Sequence, residues 1–133
     1  MEYITKDSGE REFFKTGAKR DTRKGKGRFD LISPIALKRL ALVYERGSEK
    51  YDDDNWRKGM PHRRYIDSAI RHLNTYAENK IKGLPQDEDH LAQAAWNIFA
   101  LIEMEEMRPD LDDFFRYPQE QLPFNDFDEL LNL

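Results

Sequence analysis

Residues 62–80, HRRYIDSAIRHLNTYAENK, carry the clearest helical period in the chain. Apolar side chains recur there at the three- and four-residue spacings that place them on one face of an α-helix. The side chains on that face are Ile66, Ala69, Ile70, Leu73 and Ala77. The pattern therefore predicts an amphipathic helix over residues 62–80, with this face turned towards a core.

Two flanking stretches repeat the pattern. SPIALKRLALVYERGSEKY, residues 33–51, predicts a helix that begins at Pro34, because proline is favoured at the first helical position. DEDHLAQAAWNIFALIE, residues 87–103, predicts a third helix that Asp87 caps and that Pro109 stops. The positions expected to face the core are Leu37, Leu40, Ala41 and Tyr44 in the first stretch and Leu91, Ala94, Ala95, Ile98, Leu101 and Ile102 in the last.

Three amphipathic helices, with no run typical of a parallel-sheet strand, predict an all-α fold, a small helical bundle over residues 33–108. Residues 1–32 hold four glycines and no sustained helical period, so we expect an extended, basic, glycine-punctuated segment. Residues 109–133 form an acidic tail, with short helical pieces expected at 112–116 and 126–131.

Three apolar stripes bury little surface in a chain of 133 residues. We therefore expect the tail to pack on the bundle or on a neighbouring subunit, and the chain to form a homo-oligomer, either a dimer or a tetramer. The aromatic residues that support this expectation lie outside the stripes and are Phe114, Phe115, Tyr117, Phe124 and Phe127.

Composition limits the function classes. The chain contains no cysteine, which excludes disulfides, thiolate zinc sites and cysteine nucleophiles. No run approaches the roughly 18 apolar residues of a membrane span. The start, MEYITKDSGEREFF, lacks the apolar region of a secretory signal, so we expect no membrane partner and a cytoplasmic setting, the host cytoplasm if the protein is viral.

Charge is distributed unevenly along the chain, although the formal net charge is only -4. Residues 11–28 hold eight basic and two acidic side chains, whereas residues 103–133 hold two basic and ten acidic ones. Glycines between the cations of the first stretch let backbone and side-chain donors approach an anion together. This stretch therefore suits a triphosphate or a nucleic-acid backbone, and a mobile solvated arm is the third interpretation.

Two acidic groups are candidate metal ligands. Glu45 and Glu49 lie one helical turn apart, where like charges repel unless a cation joins them. Asp87, Glu88 and Asp89 precede His90 at the head of the third helix, where capping explains only part of the negative charge. Neighbouring helices of a bundle can direct two such groups at shared Mg²⁺ or Mn²⁺ ions.

Two side chains of the third helix have two interpretations each. Asn97 either links two helices through a hydrogen bond or recognises a base, since a buried amide needs a partner. Trp96 either packs in the core or stacks on a base. For His72 we expect a hydrogen-bonded structural role. No HExxH, GxSxG or Walker A pattern is present, so a hydrolase here would activate water with a metal.

The segments that carry these features resemble the phage branch of the MazG-like nucleotide pyrophosphohydrolases, which includes the MazZ type. The resemblance covers residues 17–103 and rests on the whole of residues 17–59, on RYIDSAIRHLNTY and on DEDHLAQAAWN. It implies an all-α, multimeric enzyme that uses two or three Mg²⁺ or Mn²⁺ ions. It also implies hydrolysis of dGTP, dATP and, as a further candidate, GTP to the monophosphate and pyrophosphate. Such an enzyme supports the nucleotide pools of phages that carry 2-aminoadenine in their DNA.

The resemblance also implies roles for individual residues. Glu45, Glu49, Glu88 and Asp89 fall on the two acidic metal-binding motifs, although this chain has ExxxE and a contiguous DED instead of EExxE and ExxD. Glu45 or Glu49 is the expected general base. The expected substrate-binding residues are Lys50, Asn55, Trp56, Asn97, Arg20, Lys24, Lys26 and Arg28.

Two other functions stay open at this point. The first is a nucleic-acid-binding module that uses residues 11–28, although the acidic tail would repel the same backbone. The second is an oligomeric scaffold without catalytic activity. An enzyme is the interpretation that the acidic groups and the cations favour together, and nucleic acid is not the partner that we expect.

Overall fold

The computed structural model describes residues 3–123. These residues fall into two compact units, one up to Ser33 and the other from Pro34 onwards. The helix expected at 126–131 lies outside the described residues, as do Phe124 and Phe127.

The first unit contains a β-hairpin, where the sequence predicted only an extended segment. Strand β1, Arg11–Phe13, pairs antiparallel with strand β2, Lys19–Asp21. Gly17 lies in the connecting turn with a φ of 90°, a backbone conformation that glycine adopts without a steric penalty. Each strand has only three residues, which are too few to show the alternation of apolar and polar side chains that identifies a strand in a sequence.

The second unit is helical, as predicted. Helix α1 spans Pro34–Lys50, helix α2 spans His62–Lys82 and helix α3 spans His90–Met107. Single turns of 3-10 helix occur at Phe29–Leu31, Asn55–Lys58, Pro109–Leu111 and Gln119–Gln121. The part of the chain that the structure describes is thus a small, mostly helical protein with one two-stranded sheet, and no helix in it has the length and apolarity to cross a membrane.

Helix α3 forms the centre of the helical unit, because both α2 and α1 pack against it. Tyr65 of α2 and Ala100 and Met104 of α3 form the buried cluster, and each is at most 1% exposed. Trp56 and Trp96 pack against this cluster from the side. The core therefore sits between α2 and α3, next to the turn that contains Trp56.

Two local predictions were wrong. The cap of α3 is Asp89, whose carboxylate accepts a hydrogen bond from the Ala92 amide at 3.2 Å, and Asp87 lies before the helix. Residues 112–116 are not helical, since the helical turn ends at Leu111. In both places several acidic residues adjoin one helix end, and a sequence pattern does not decide which of them caps it.

The predicted core stripes are only partly buried. On α2 the buried face carries His62, Tyr65 and Ala69, whereas Ile70 and Leu73 are 60% and 45% exposed. On α3 the buried positions are His90, Ala92, Ala94, Asn97, Ala100 and Met104. On α2 and α3, several of the larger apolar side chains of the predicted face are therefore left exposed within the chain.

Candidate functional site

A cavity of about 600 Å³ lies beside the end of α1 and the turn that follows it. Two chemically different sets of side chains line it: aromatic rings, and charged groups of both signs. The lining residues that the sequence had already indicated are Lys50, Asn55, Trp56, Trp96 and Glu88. The fold thus brings the end of α1, the turn and the head of α3 to one opening, which we call the larger cavity.

The turn at Asn55–Lys58 is held by its tryptophan. The Trp56 ring meets the Tyr44 ring edge-on, with centroids 5.6 Å apart. The Arg57 guanidinium lies 4.3 Å from the Trp56 centroid, a cation–π contact that covers the ring. Because Trp56 also packs on the core cluster, the turn holds a defined place beside α3.

Three side chains of the types that bind metal ions converge at the head of α3. Ligand atoms of Asp87, Glu88 and His90 all lie within 4.8 Å of one another, and Glu88 also lines the larger cavity. Carboxylate oxygens suit Mg²⁺, and imidazole nitrogen is accepted by transition ions such as Mn²⁺. This group is therefore compatible with a metal-dependent hydrolase.

Both ring nitrogens of His90 already have partners. Its Nε2 lies 2.8 Å from Asp87 Oδ1, and its Nδ1 lies 2.9 Å from Nδ1 of His72 on α2. The hydrogen bond from His90 holds the pKa of Asp87 below its usual value. Glu88 accepts a hydrogen bond from Gln93 Nε2 at 3.2 Å, and its carboxylate is the most available of the three for an ion.

Asp89 is engaged differently from its neighbours. It accepts a two-pronged pair of hydrogen bonds from Arg39 of α1, at 2.9 Å and 2.6 Å, in addition to capping α3. The Arg39 bond is the main reason that the pKa of Asp89 lies below its usual value. Asp89 therefore ties α1 to α3, and a metal ion that bound it would compete with Arg39.

Glu45 and Glu49 are not part of the acidic group at the head of α3. Both are exposed on α1, and neither lines the larger cavity, although Arg46 and Lys50 beside them do. Within residues 3–123, the groups of three or more metal-ligating side chains include neither of these glutamates.

A second opening, the smaller cavity, has a volume of about 310 Å³. It shares Val43, Met60, Gln93 and Trp96 with the lining of the larger cavity. Asn97 lines it and is 5% exposed. The residues that line the smaller cavity alone are Arg64, Ser68, Arg71, His72 and Asn97.

Asn97 makes the helix-to-helix link that one of its two interpretations predicts. Its Nδ2 donates to Ser68 Oγ of α2 at 3.2 Å and to the Gln93 carbonyl at 2.9 Å. Trp96 packs on the core cluster, as its first interpretation predicts, and it also lines both cavities.

Two of the four predicted cations of the first unit line a cavity in that unit. Lys24 and Arg28 line an opening of about 530 Å³ together with Gly25 and Gly27. Arg28 is held by Asp30 through two bonds of 2.8 Å, and Lys26 Nζ lies 2.9 Å from Asp21. Arg20 lies on β2, opposite Glu12. Lys26 and Arg28 thus each form an ion pair with a carboxylate of the same unit.

The sequence did not indicate that Ser68 and His72 line a cavity, as both do in the structure. His72 lies seven residues after Tyr65, and this spacing places both side chains on the α2 face that meets α3. Because this face carries polar residues, the apolar three- and four-residue spacing of α2 follows the neighbouring face instead.

A protein-family model matches most of the chain. The model described as "dATP/dGTP diphosphohydrolase, N-terminal" matches residues 16–114, which is more than half of the chain. No curated protein and no solved structure matches. The matched residues include the larger cavity, the acidic group at the head of α3 and the smaller cavity. The chain therefore belongs to the dATP/dGTP diphosphohydrolase family.

Proposed function

We propose that this protein hydrolyses purine nucleoside triphosphates, namely dGTP and dATP with GTP as a further candidate, to the monophosphate and pyrophosphate. The observation that carries the proposal is the larger cavity, where Glu88, Lys50 and Trp56 line one opening. Cations suit a phosphate chain, aromatic rings suit a nucleoside, and a carboxylate suits the divalent ion that accompanies triphosphates. The family match supports this substrate class.

The donor set supports Mg²⁺ or Mn²⁺ as the cofactor, with two or three ions in the proposed site. Glu88 is the best-placed ligand because it faces the cavity, and Asp89 adjoins it. Glu45 and Glu49 complete the proposed set, and one of them accepts the proton of the attacking water. A bound divalent ion supplies charge neutralisation along the phosphates and lowers the pKa of a water molecule.

The residues around the ions would hold the substrate. Lys50 and Arg46 place positive charge at the cavity, where it stabilises the phosphate chain and the pyrophosphate leaving group. Asn55 and Trp56 contact the nucleoside in this proposal, and Asn97 lies at the adjoining cavity.

The basic residues of the first unit are proposed as additional phosphate ligands. The support lies in that unit alone, where Lys24 and Arg28 line an opening next to two glycines. The carboxylates that pair with Lys26 and Arg28 reduce the net positive charge that this unit offers to a nucleic-acid backbone. This favours a small anion over nucleic acid as its ligand.

We also propose the MazG-like, phage MazZ-type assignment and a homo-oligomeric assembly. The assembly is supported by apolar side chains that stay exposed on all three helices, among them Ile35, Ile70 and Ile102. In a phage that uses 2-aminoadenine, the reaction would remove dATP and produce dGMP, the precursor of the modified nucleotide.

The decisive experiment incubates the protein with Mg²⁺ or Mn²⁺ and each of the eight common nucleoside triphosphates, and separates the products by ion-exchange chromatography. We expect monophosphate and pyrophosphate in equal amounts from dGTP and dATP, and no reaction in excess chelator. Release of orthophosphate, or turnover that persists in chelator, would contradict the proposal.

Variants test the ligand assignment. We expect Glu88→Gln and Glu49→Gln to lose most activity while they keep the circular dichroism spectrum of the wild type. Glu105→Gln is the matched control, because Glu105 is an exposed glutamate of α3 outside both cavities. Turnover at the wild-type rate by either variant removes that residue from the site.

A further inference from the structure

The start of α2 is capped by a residue that follows α3. Helix α2 begins after Pro61, whose side chain offers no acceptor, and its first turn holds Arg63 and Arg64 but no acidic residue. Cations are unfavourable at this end of a helix, and its first amides need acceptors. The Asp113 carboxylate accepts a hydrogen bond from the Arg63 amide at 2.9 Å, the bond that a capping side chain normally supplies. Asp113 therefore caps α2 from 50 residues away in the sequence.

The segment that carries this cap also holds the turn that precedes α2. We call residues 108–114 the strap. Leu111 of the strap lies against Gly59, where a Cβ would come within 2.8 Å of the Leu111 Cδ1. Arg108 Nη1 donates to the Lys58 carbonyl at 3.4 Å. The strap therefore contacts the turn as well as the start of α2.

Hydrogen bonds at the strap fix its own shape. The turn of 3-10 helix at Pro109–Leu111 follows directly on α3. Asp112 accepts hydrogen bonds from the Phe114 amide at 3.0 Å and from the Arg116 guanidinium at 2.6 Å. The first of these bonds closes a turn of the backbone around Asp113. The strap is thus a defined connection between the end of α3 and the start of α2.

The part of the chain that the strap holds forms a wall of both cavities. Met60 follows Gly59 directly, shortly before α2 begins, and it lines the larger and the smaller cavity. Asn55 and Trp56, at the other end of the same turn, line the larger cavity. A misplacement of about 1 Å in a binding site can cost a large part of the productive fit of a substrate. The place of this turn therefore matters for any ligand of the cavities.

We propose that Asp113 is a positioning residue: by capping α2 it holds the turn that forms this wall, and in this way it raises the affinity for the nucleotide. Asp113 lines neither cavity, so its effect reaches the substrate only through the turn. The inference rests on the proposed function, because it assigns the turn to the nucleoside and the carboxylates to the ions. Loss of the cap should therefore weaken substrate binding and leave the chemical step nearly unchanged.

Steady-state kinetics of the full chain with dGTP and Mg²⁺ test this role. Asp113 is exposed, so Asp113→Ala should fold. We expect this variant to raise KM about fivefold and to keep kcat within about twofold of the wild type, because a lost cap loosens the turn without removing a group from the ions. Asp113→Asn keeps an oxygen acceptor and should restore most of the wild-type KM. A wild-type KM in Asp113→Ala, or no rescue by Asp113→Asn, would overturn the inference.

Two control variants separate positioning from charge and from overall stability. Asp67→Ala removes the same charge from an exposed position of α2, where the carboxylate pairs with Arg71. Gly83→Ala strains the other end of α2, where no atom lies within 4 Å of the new Cβ. Both controls should keep the wild-type KM, even though Gly83→Ala lowers the urea midpoint. A KM that rises equally in either control would assign the effect of Asp113→Ala to charge or to stability.

Amide hydrogen exchange, followed by mass spectrometry without substrate or metal, tests the strap independently of catalysis. The amides of Asn55, Arg57 and Gly59 are hydrogen-bonded within the turn. We expect them to exchange about fivefold faster in Asp113→Ala than in the wild type or Gly83→Ala, and at the wild-type rate in Asp113→Asn. Equal rates in the two alanine variants would overturn the inference.

The outcomes separate the inference from the proposed function. If the wild type hydrolyses no triphosphate, the proposed function fails, and faster exchange confined to Asp113→Ala still shows that Asp113 positions the wall of the cavities. If triphosphates are hydrolysed and Asp113→Ala has the KM and the exchange rates of the wild type, the function stands and the positioning role fails.

Discussion

Single polar side chains hold the helical unit together where apolar contacts are sparse. The buried cluster of Tyr65, Ala100 and Met104 is small, and Asn97 beside it carries a hydrogen bond from α3 to Ser68 of α2. A buried amide that loses its partners costs more than an average hydrogen bond provides. Asn97 therefore contributes to the stability of the unit whatever it contacts in a ligand.

Replacing this amide should destabilise the fold. We expect Asn97→Ala to lower the free energy of unfolding by about 1–3 kcal/mol, because the Ser68 hydroxyl and the Gln93 carbonyl lose their donor. Urea denaturation followed by circular dichroism measures the change. Asn74→Ala, at an exposed site, should stay within about 0.5 kcal/mol of the wild type. Equal midpoints for the two variants would refute the structural role.

Asp112 gives a prediction for pH. Hydrogen bonds from Arg116 and from the Phe114 amide lower its pKa to about 2 from the ordinary 3.8. A carboxyl with a depressed pKa in the folded state stabilises that state above its unfolded pKa and loses the contribution as the pH falls through the folded value.

The difference in unfolding free energy between the wild type and Asp112→Asn should therefore be constant at neutral pH and decline between about pH 4 and pH 2. Urea titrations of both proteins over this range provide the measurement. Because the pair is exposed, the difference should be small and should shrink at high salt. A difference that grows on acidification would show that the ion pair is absent.

Among the elements, the turn after α1 depends on one glycine. Gly59 has a φ of 82° and a ψ of 161°, a combination that is almost confined to glycine. A Cβ there would lie 2.8 Å from Leu111 Cδ1 and 3.1 Å from Met104 Sδ. The close approach lets the turn that carries Trp56 pack against α3, and in this way it shapes the larger cavity.

Gly83, which ends α2, is a natural comparison. It also has a positive φ, 68°, but no atom lies within 4 Å of the place that a Cβ would occupy. Gly83→Ala should cost about 1–2 kcal/mol from the left-handed backbone alone. Gly59→Ala should cost about 3 kcal/mol or more, because strain and overpacking add. Thermal and urea unfolding of the two variants measure the gap, and equal losses would mean that the contact with Leu111 is not formed.

At the scale of the whole molecule, all three helices leave large apolar side chains exposed, and exposed apolar patches are typical of interaction surfaces. Ile70 and Leu73 of α2 are exposed, as are Ile98 and Ile102 of α3, and Ile35 of α1 is 77% exposed. All of these except Ile35 are residues that the helical pattern assigns to a core. A second copy of the chain is the occupant that best fits several apolar faces on one small protein.

The oligomer is tested by sedimentation. We expect the wild type to sediment above the 15.8 kDa of one chain and Ile70→Glu to shift it towards the monomer. Lys6→Gln, in the first unit, makes the net charge more negative by the same single unit and should leave the mass unchanged. A wild type that is monomeric at high concentration would contradict the proposal.

The sequence by itself determined the three helices, because apolar periodicity and the breaks at proline and glycine act locally. It also identified Lys50, Asn55, Trp56 and Glu88, which the fold does bring to one cavity. The tertiary structure decided which face of each helix is buried. It also decided that Asp89 is the aspartate that both caps α3 and pairs with Arg39. It also joined His72 to His90 across 18 residues of sequence. These features depend on how the helices are rotated against each other, and the period of a single helix carries no information about its neighbour.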